Sequence, residues 1–206
     1  MPEAQSKTTE QSIFEAAETL FLDKGYAKTS TTEIARQAGC NQALVHYYFR
    51  SKENLFIRIF EKKAQMFVSP LIEISDEDLP FEEKLKKRIS VHFDMVKANR
   101  KLPVLLFNEV STNADIAQKI VENVGYLPMS FVAHMQAELD AEYEQRRICK
   151  TDAKTLLFSI FSMNVMSIMS APVFRLFVNT SDEKFDRLLE KRKVENIKFI
   201  MKSLRP

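Results

Sequence analysis

The chain of 206 residues contains only three glycines, and this scarcity limits the folds that it can adopt. Antiparallel β-folds use glycine in their tight turns, and phosphate-binding loops need it in clusters. Gly25 and Gly39 each follow a stretch with helical periodicity, at the point where a left-handed residue commonly ends a helix. The sequence therefore predicts an all-α protein and contains no glycine-rich nucleotide-binding motif.

The composition is that of an ordinary soluble protein, with 45% hydrophobic and 28% charged residues. The net charge of +2 says little about partners, but the charge is unevenly distributed: Lys24 to Lys63 contains eight basic and three acidic residues. Such an excess is compatible with a surface that faces a polyanion. The first twelve residues lack the apolar stretch of a signal peptide, and Cys40 and Cys149 are far apart. We therefore expect reduced thiols and a cytoplasmic location.

Four helices are predicted in the first third of the chain. Their apolar periodicity and end signals give Thr9–Lys24, Thr31–Ala38, Gln42–Tyr48, and a fourth helix from Ser51 to about Val68. A glycine-containing turn of about three residues separates the second helix from the third. These two helices therefore fit a helix-turn-helix.

The third helix has two different faces on a helical wheel of about 100° per residue. The residues of one arc are apolar or aromatic and are expected to pack inside the domain: Leu44, Val45, Tyr48 and Phe49. The residues of the opposite arc offer hydrogen-bonding groups or a small methyl group: Gln42, Ala43, His46 and Tyr47. The second set is what a helix needs to read the major groove of DNA.

Individual residues of the exposed arc suit particular contacts. Gln42 can form two hydrogen bonds with adenine, and Ala43 permits close approach or contact with a thymine methyl group. His46 and Tyr47 can reach phosphate oxygens, although singly each could be an ordinary surface residue. Asn41 can either cap the third helix or bind a phosphate.

Flanking residues extend the predicted interface. Lys52 at the start of the fourth helix and Thr31 in the first turn of the second helix can each contact a phosphate. Cys40 lies in the turn, and we read it as a packing residue, with a redox-sensitive role as the alternative.

The segment Gly25–Phe56, GYAKTSTTEIARQAGCNQALVHYYFRSKENLF, resembles the N-terminal signature of the TetR family of transcriptional regulators. The similarity covers about residues 9–60. It implies an all-helical homodimer of about nine helices, with a three-helix DNA-binding head (1–50) joined by helix 51–68 to a ligand-binding and dimerisation body (51–206). His46 stands where the family more often has tyrosine, and Gln42 where lysine is frequent. The resemblance implies DNA contacts by Thr31, Asn41, Gln42, Ala43, His46, Tyr47 and Lys52.

The body of the chain has helical periodicity throughout. Pro70–Pro80 encloses an acidic, turn-rich stretch and is predicted to form the boundary after the fourth helix. Thr155–Phe174 carries no charge, but its serines and Asn164 favour a helix buried in the core or a dimer interface over a membrane span. The family resemblance assigns the dimer interface to the last two helices, here 152–171 and 182–204. Thr180 and Glu183 have capping-box spacing at the start of the last helix.

A ligand pocket in the body should be mostly apolar with a few polar groups. The sixteen phenylalanines and nine methionines suit an adaptable cavity, although such side chains at helical spacing equally fit a plain core. The candidates for the pocket are Phe93, Phe107, Phe131, Met135, Phe158, Phe161 and Met166, with Asn108, His134 and Asn164 as polar groups.

The leading interpretation is a sequence-specific DNA-binding regulator, a repressor released from a palindromic operator by a small, largely apolar ligand. The alternative is a helix-turn-helix protein whose body only dimerises and binds no effector. The three histidines and two cysteines have no metal-ligand spacing, and no Ser-His-Asp order stands out. We therefore expect neither an enzyme nor a cofactor, and we expect double-stranded DNA, a second copy of the chain and a small apolar or amphipathic ligand as partners, without a membrane.

Overall fold

The computed structural model describes residues 8–179 and 181–206, except for the side chains of Leu127 and Asp182. These residues form eleven α-helices and one short 3₁₀ helix, and no strand occurs among them. The predicted all-α class is confirmed, but the number of helices exceeds the nine expected. The two additional helices are α6, which the periodicity did not separate, and α10, which follows a bend in the long apolar segment.

The helices occupy the following positions along the chain: α1 Thr9–Lys24, α2 Thr31–Gln37, α3 Gln42–Phe49, α4 Lys52–Glu73, α5 Phe81–Ala98, α6 Lys101–Thr112, α7 Ala114–Val124, α8 Tyr126–Glu144, α9 Ala153–Met169, α10 Ala171–Val178 and α11 Asp182–Ser203. The 3₁₀ helix, Ile74–Asp76, lies between α4 and α5. The first four helices begin within one residue of their predicted starts.

The backbone divides into two compact units. The first unit contains the described residues up to Ala64 together with Val104–Gly125, and the second contains Gln65–Pro103 together with Tyr126–Pro206. The first unit is therefore larger than the head of residues 1–50 that the sequence suggests. It includes the beginning of α4 and the helices α6 and α7, which a boundary based on local sequence signals assigns to the body.

The core of the first unit is built around aromatic rings. Phe21 of α1 and Phe56 of α4 are both buried and meet edge to face, with ring centroids 5.0 Å apart. Tyr26, the residue after the glycine that ends α1, packs its ring against Phe56, with ring centroids 4.8 Å apart. The φ of Gly25 is 81°, a backbone conformation that residues with a side chain rarely adopt. This aromatic core supports the short helices α2 and α3.

The prediction that the fourth helix ends at about Val68 is wrong, because α4 continues through Pro70 to Glu73; its end still lies within the predicted boundary Pro70–Pro80. Proline usually breaks a helix interior since it removes a backbone hydrogen bond. Beyond the proline α4 ends, so its last carbonyls lack partners within the helix, and α5 supplies donors to this region. The Leu71 carbonyl accepts from Arg88 Nε at 3.2 Å, and the Ser75 carbonyl accepts from Lys84 Nζ at 2.6 Å. Side chains of α5 thus hold the end of α4 and the 3₁₀ helix that follows.

The second unit contains two apolar clusters. One is formed mainly by α5, α8, α9 and α11, with Leu85, Ile89, Met135, Leu139 and Ile200 among its buried residues. The other includes Phe93 and Val96 of α5 together with residues of α9, α10 and α11. Helix α5 contributes to both clusters, so it is the central helix of this unit.

Arg88 of α5 is a buried cation, with only 3% of its surface exposed. Its guanidinium donates to both carboxylate oxygens of Glu138 on α8, at 2.5 and 3.0 Å, to the Leu71 carbonyl and to the Ser75 hydroxyl. Because a buried charge is costly without partners, this set of acceptors explains how arginine is tolerated inside the unit.

A second buried polar cluster joins α5, α9 and α11. The Asn164 amide nitrogen donates to the Ile89 carbonyl at 3.0 Å and to His92 Nδ1 at 3.1 Å. Its amide oxygen accepts from the Asn196 side chain at 3.0 Å. Since both amide protons are used as donors, His92 Nδ1 acts as the acceptor and the neutral ring carries its proton on Nε2. Burial lowers the pKa of His92 from 6.5 to about 4.

The predicted helix 152–171 corresponds to α9, Ala153–Met169, and the uncharged segment continues into α10, which meets α9 at a bend of 54°. Among the described residues no single helix is long and apolar enough to cross a membrane, whereas this bent pair meets the length and composition criteria together. Asp152 caps α9 by accepting from the Thr155 N–H at 2.8 Å. The predicted capping box of α11 involves Thr180, which lies outside the described residues; the hydroxyl of Ser181 accepts from the Lys184 N–H.

Candidate nucleic-acid interface

The turn between α2 and α3 has the hydrogen bonds of a tight connection. The Cys40 N–H donates to the Ala35 carbonyl at 2.9 Å, and the Gly39 N–H donates to the Arg36 carbonyl at 3.2 Å. Gly39 has a φ of 69°, so glycine is well suited to this position. The Asn41 side chain then accepts from the Leu44 N–H at 3.0 Å and begins α3. Asn41 is therefore a helix cap, and its predicted contact with a phosphate stays a prediction.

The two faces of α3 are divided as the helical wheel predicts. The inward set consists of buried or half-buried residues: Leu44, Val45, Tyr48 and Phe49. The outward set is exposed: Gln42, Ala43, His46 and Tyr47. Tyr47 has 78% of its surface accessible and meets the ring of Tyr48 edge to face. A large ring left in solvent at the centre of a short helix is available for contact with a partner.

Helix α2 is anchored at its beginning by a capping box. The Ser30 hydroxyl accepts from the Glu33 N–H, and the Glu33 carboxylate accepts in return from the Ser30 N–H. Lys24 at the end of α1 also donates to this carboxylate at 2.8 Å. The hydrogen bond from Lys24, followed by that from Ser30, lowers the pKa of Glu33. These contacts fix the first turn of α2, which carries Thr31 and Thr32.

Both of these threonines bond to the first residue of α3. The Gln42 amide nitrogen donates to the Thr31 hydroxyl at 2.8 Å, and the Thr32 hydroxyl donates to the Gln42 amide oxygen at 3.2 Å. The predicted interface residues Thr31 and Gln42 are therefore brought together by the fold. Thr32 was not among the predicted residues, because nothing in its local sequence indicates a partner ten positions away.

His46 is placed beside the end of its own helix. Its Nδ1 lies 3.2 Å from the carbonyl oxygen of Arg50, which can only accept a hydrogen bond. The neutral ring therefore carries its proton on Nδ1 and presents Nε2 as an acceptor. A hydrogen bond from Nε2 to a phosphate oxygen requires the protonated ring.

Lys52 has a partner inside the first unit. Its ammonium donates to the carbonyls of Tyr26 and Thr29, both at 2.9 Å, and lies 4.1 Å from the centre of the Tyr26 ring. Burial lowers the pKa of Lys52, while the carboxylate of Glu109 opposes this shift. A phosphate contact by Lys52 stays a prediction, but the structure shows a role that the sequence did not reveal: the side chain ties α4 to the turn between α1 and α2.

Glu109 of α6 supports the same turn. It is 4% exposed, and its carboxylate accepts from the Tyr26 N–H at 3.1 Å. Sequence reasoning missed this residue, although one signal was present: Glu109 is the single acidic residue of an otherwise largely apolar helix. The turn that follows Gly25 is thus held by a cation from α4 and an anion from α6.

The substitution Lys52→Met is expected to lower the free energy of unfolding by about 1 to 2 kcal/mol, since it removes two charge-assisted hydrogen bonds at a partly exposed site. Urea denaturation followed by circular dichroism measures this difference. Lys28→Met is the matched control, because Lys28 is exposed in the same turn and carries the same charge. Equal stability of the two variants would show that the ammonium of Lys52 does not support the turn.

The seven predicted pocket residues differ in their burial. Phe107 belongs to the first unit and is 68% exposed. In the second unit, one group is buried in the two apolar clusters: Phe93, Phe131 and Met135. The other group is exposed: Phe158, Phe161 and Met166. Of the polar groups, Asn108 and His134 are exposed and Asn164 is buried in its cluster with His92. Periodic aromatic residues mark core positions as readily as a cavity, which is why the pattern could not separate them.

In the part of the chain that the structure describes, no group of three or more His, Cys, Asp or Glu side chains is arranged to hold a metal ion. The predicted interface residues can form hydrogen bonds, aromatic contacts and contacts through a cation. A three-helix domain with a tight glycine turn and an exposed second helix defines the helix-turn-helix class.

Comparison with known proteins finds a family match for the helix-turn-helix region. Residues 13–59 match the sequence model of the bacterial regulatory proteins of the tetR family. The match covers α1, α2, α3 and the beginning of α4, which are the elements described above. This segment of the chain is thus similar to the bacterial regulatory proteins of the tetR family.

Individual relatives extend this comparison. The chain is 30% identical over 125 residues to the fatty acid metabolism regulator protein of Bacillus subtilis, covering 60% of this chain and 64% of that protein. It is 34% identical over 104 residues to the uncharacterized HTH-type transcriptional regulator YerO of Bacillus subtilis, covering 48% of this chain and 36% of that protein. The matched segments thus span less than two thirds of each of these relatives.

A solved structure resembles the fold over nearly its whole length. The transcriptional regulator FadR from Bacillus subtilis, in complex with stearoyl-CoA, superposes with a TM-score of 0.71 and 21% identity. The superposition covers 94% of this chain and 98% of that chain. At this identity the likeness shows the fold.

Proposed function

We propose that the chain is a transcriptional regulator that binds a palindromic operator as a cytoplasmic homodimer. The observation that carries this proposal is the exposed arc of α3 within a helix-turn-helix domain similar to that of the tetR family. Gln42, His46 and Tyr47 supply the hydrogen-bonding groups, while the opposite arc anchors the helix. In a dimer, two copies of α3 would enter successive major grooves about 34 Å apart.

Exposed apolar side chains support dimerisation through the last helices. Large apolar side chains on α9, α10 and α11 have between 38% and 81% of their surface accessible, among them Phe158, Met166, Leu176, Phe177, Leu188 and Phe199. Large exposed apolar groups on a single chain mark surfaces that a partner covers. The family resemblance assigns the interface to 152–171 and 182–204, which correspond to α9 and α11, whereas most of α10 lies between these ranges.

The second part of the proposal is repression that a small, largely apolar ligand relieves. Two relatives support a ligand with a long acyl chain: one is named a fatty acid metabolism regulator, and the structural neighbour is a complex with stearoyl-CoA. Release requires that the ligand bind the DNA-free conformation more tightly than the DNA-bound one. Acyl-CoA esters are therefore the first class to test.

Fluorescence anisotropy with a labelled duplex from upstream of the gene that encodes this chain tests both parts. We expect binding roughly 1,000-fold or more tighter than to a random duplex at the same salt concentration. Stearoyl-CoA should weaken this binding, and free coenzyme A is the control for its headgroup. Sedimentation equilibrium of the same preparation measures the dimer.

The possible outcomes separate the functions. Equal affinity for the upstream and random duplexes would contradict the operator. Tight operator binding that stearoyl-CoA does not change, together with an unchanged melting temperature in its presence, would favour the alternative in which the body only dimerises.

A further inference from the structure

The two threonines at the start of α2 hold the amide of Gln42 in one orientation. Thr32 donates to the amide oxygen, and Thr31 accepts from the amide nitrogen. Gln42 is exposed, so without these bonds its long side chain would be free to rotate. An exposed glutamine with hydrogen bonds at both ends of its amide is therefore restrained before any partner arrives.

The hydrogen-bonding positions of the amide that the threonines do not use match one base. A glutamine amide has two lone pairs on oxygen and two hydrogens on nitrogen, and the threonines use one of each. One acceptor and one donor remain available on adjacent atoms. In the major groove adenine presents a donor at N6 and an acceptor at N7, whereas guanine presents two acceptors. Where the free lone pair and the free hydrogen lie on the same edge of the amide and face the base, the restrained amide pairs with adenine at both atoms, but with guanine at only one.

We propose that Thr32, together with Thr31, is a positioning residue that fixes the Gln42 amide for adenine and so sets the base preference at one position of each half-site. This inference rests on the proposed operator binding. Restraint improves discrimination because a fixed amide cannot rotate its oxygen and nitrogen to suit another base. It also reduces the conformational freedom that Gln42 loses when it binds.

A simple contact between the Thr32 hydroxyl and a phosphate predicts something different. Phosphate contacts carry no direct sequence information, so losing one weakens binding to all sequences alike. Loss of a positioning contact changes the preference at one base pair and leaves the others intact. The base profile of a hydroxyl-free variant therefore distinguishes the two roles.

The test is selection of bound duplexes from a random library, followed by competition titrations. The full-length wild type is compared with Thr32→Val, which keeps the shape of the side chain but removes the hydroxyl, and with Thr32→Ser, which keeps the hydroxyl. Gln42→Ala identifies the base pair that faces residue 42. Equal melting temperatures of the variants establish that each one is folded.

We expect the wild type to prefer adenine at that position by about 10-fold or more, the size of a good pair of hydrogen bonds to one base. Thr32→Val should reduce the preference to about 3-fold or less, and Thr32→Ser should restore it. Affinity for a random duplex and its salt dependence should be the same in all three proteins.

Each alternative result has a distinct meaning. An unchanged adenine preference in Thr32→Val, or a uniform loss of affinity for all sequences, would overturn the positioning role while leaving operator binding intact. A preference for another base at the position defined by Gln42→Ala would also overturn it. If the wild type enriches no sequence, the proposed function fails and the inference fails with it.

Discussion

The substitution Arg88→Met is expected to lower the free energy of unfolding by about 3 to 5 kcal/mol, the usual cost of removing one partner of a buried ion pair. The guanidinium is 3% exposed and satisfies Glu138, Ser75 and the Leu71 carbonyl at the same time. Its removal leaves the carboxylate of Glu138, whose side chain is only 18% exposed, without its cation. The carbonyl at the end of α4 also loses its donor.

Urea denaturation of further variants separates the contribution of the unpaired charge from that of lost packing. In the double variant Arg88→Met/Glu138→Leu the unpaired carboxylate is gone, so we expect much of the lost stability to return. Lys86→Met is the matched control, because Lys86 lies on the same helix and pairs with Glu82 and Glu83 at the surface. The control should show no measurable change. If the double variant is as unstable as Arg88→Met, lost packing is the cause and not the unpaired charge.

The signals that predicted the DNA-binding head are local ones. Gly25 and Gly39 end helices because of backbone conformation, and Asn41 begins one by capping it, so each acts within a few residues. The division of α3 into two faces depends only on the helical repeat. A sequence read in short windows contains all of this information, which explains why the ends of α1, α2 and α3 were predicted within one residue.

The contacts that sequence reasoning missed join distant positions. Tyr26 and Glu109 are 83 positions apart, and Arg88 and Glu138 are 50 apart. No local pattern indicates such a pair, because its formation depends on how the helices pack. The end of α4 is a further case: Pro70 is a local signal for a helix end, whereas the donors that bond to the Leu71 and Ser75 carbonyls come from another helix, α5.

For Lys52 the sequence motif indicates the position of the residue but not all of its contacts. Its position after the aromatic cluster matches the family signature, and the sequence therefore assigns it to phosphate binding. In the structure its ammonium contacts two carbonyls of the α1–α2 turn. The motif defines where the residue lies, whereas only the folded turn reveals what its charge binds.

The second large effect is a loss of stability between pH 6.5 and 4 that depends on His92. This ring is 9% exposed, and its Nδ1 accepts a hydrogen bond from Asn164. Burial lowers its pKa from 6.5 to about 4 in the folded protein. Between these values the unfolded chain binds a proton that the native state does not bind, so the unfolded state gains stability as the pH falls.

The sign and the size of the effect follow from linkage. The stabilisation is complete above pH 6.5 and is lost progressively as the pH falls to about 4, where the native ring also becomes protonated. At about 1.4 kcal/mol per pH unit, the loss over this interval is about 3 kcal/mol. Carboxylates also titrate in this range, so the contribution of His92 must be measured as a difference between proteins.

His92→Gln provides that difference, because glutamine does not titrate and its amide oxygen can still accept from Asn164. We expect its unfolding free energy, measured by urea denaturation at several pH values, to fall less steeply than that of the wild type by about 3 kcal/mol over the interval. The titrating carboxylates are common to both proteins, so their contribution cancels in this difference. Parallel curves for wild type and His92→Gln would mean that protonation of His92 does not oppose folding. The hydrogen bond from Asn164 to Nδ1 would then not require a neutral ring, and the proton assignment in this cluster would be wrong.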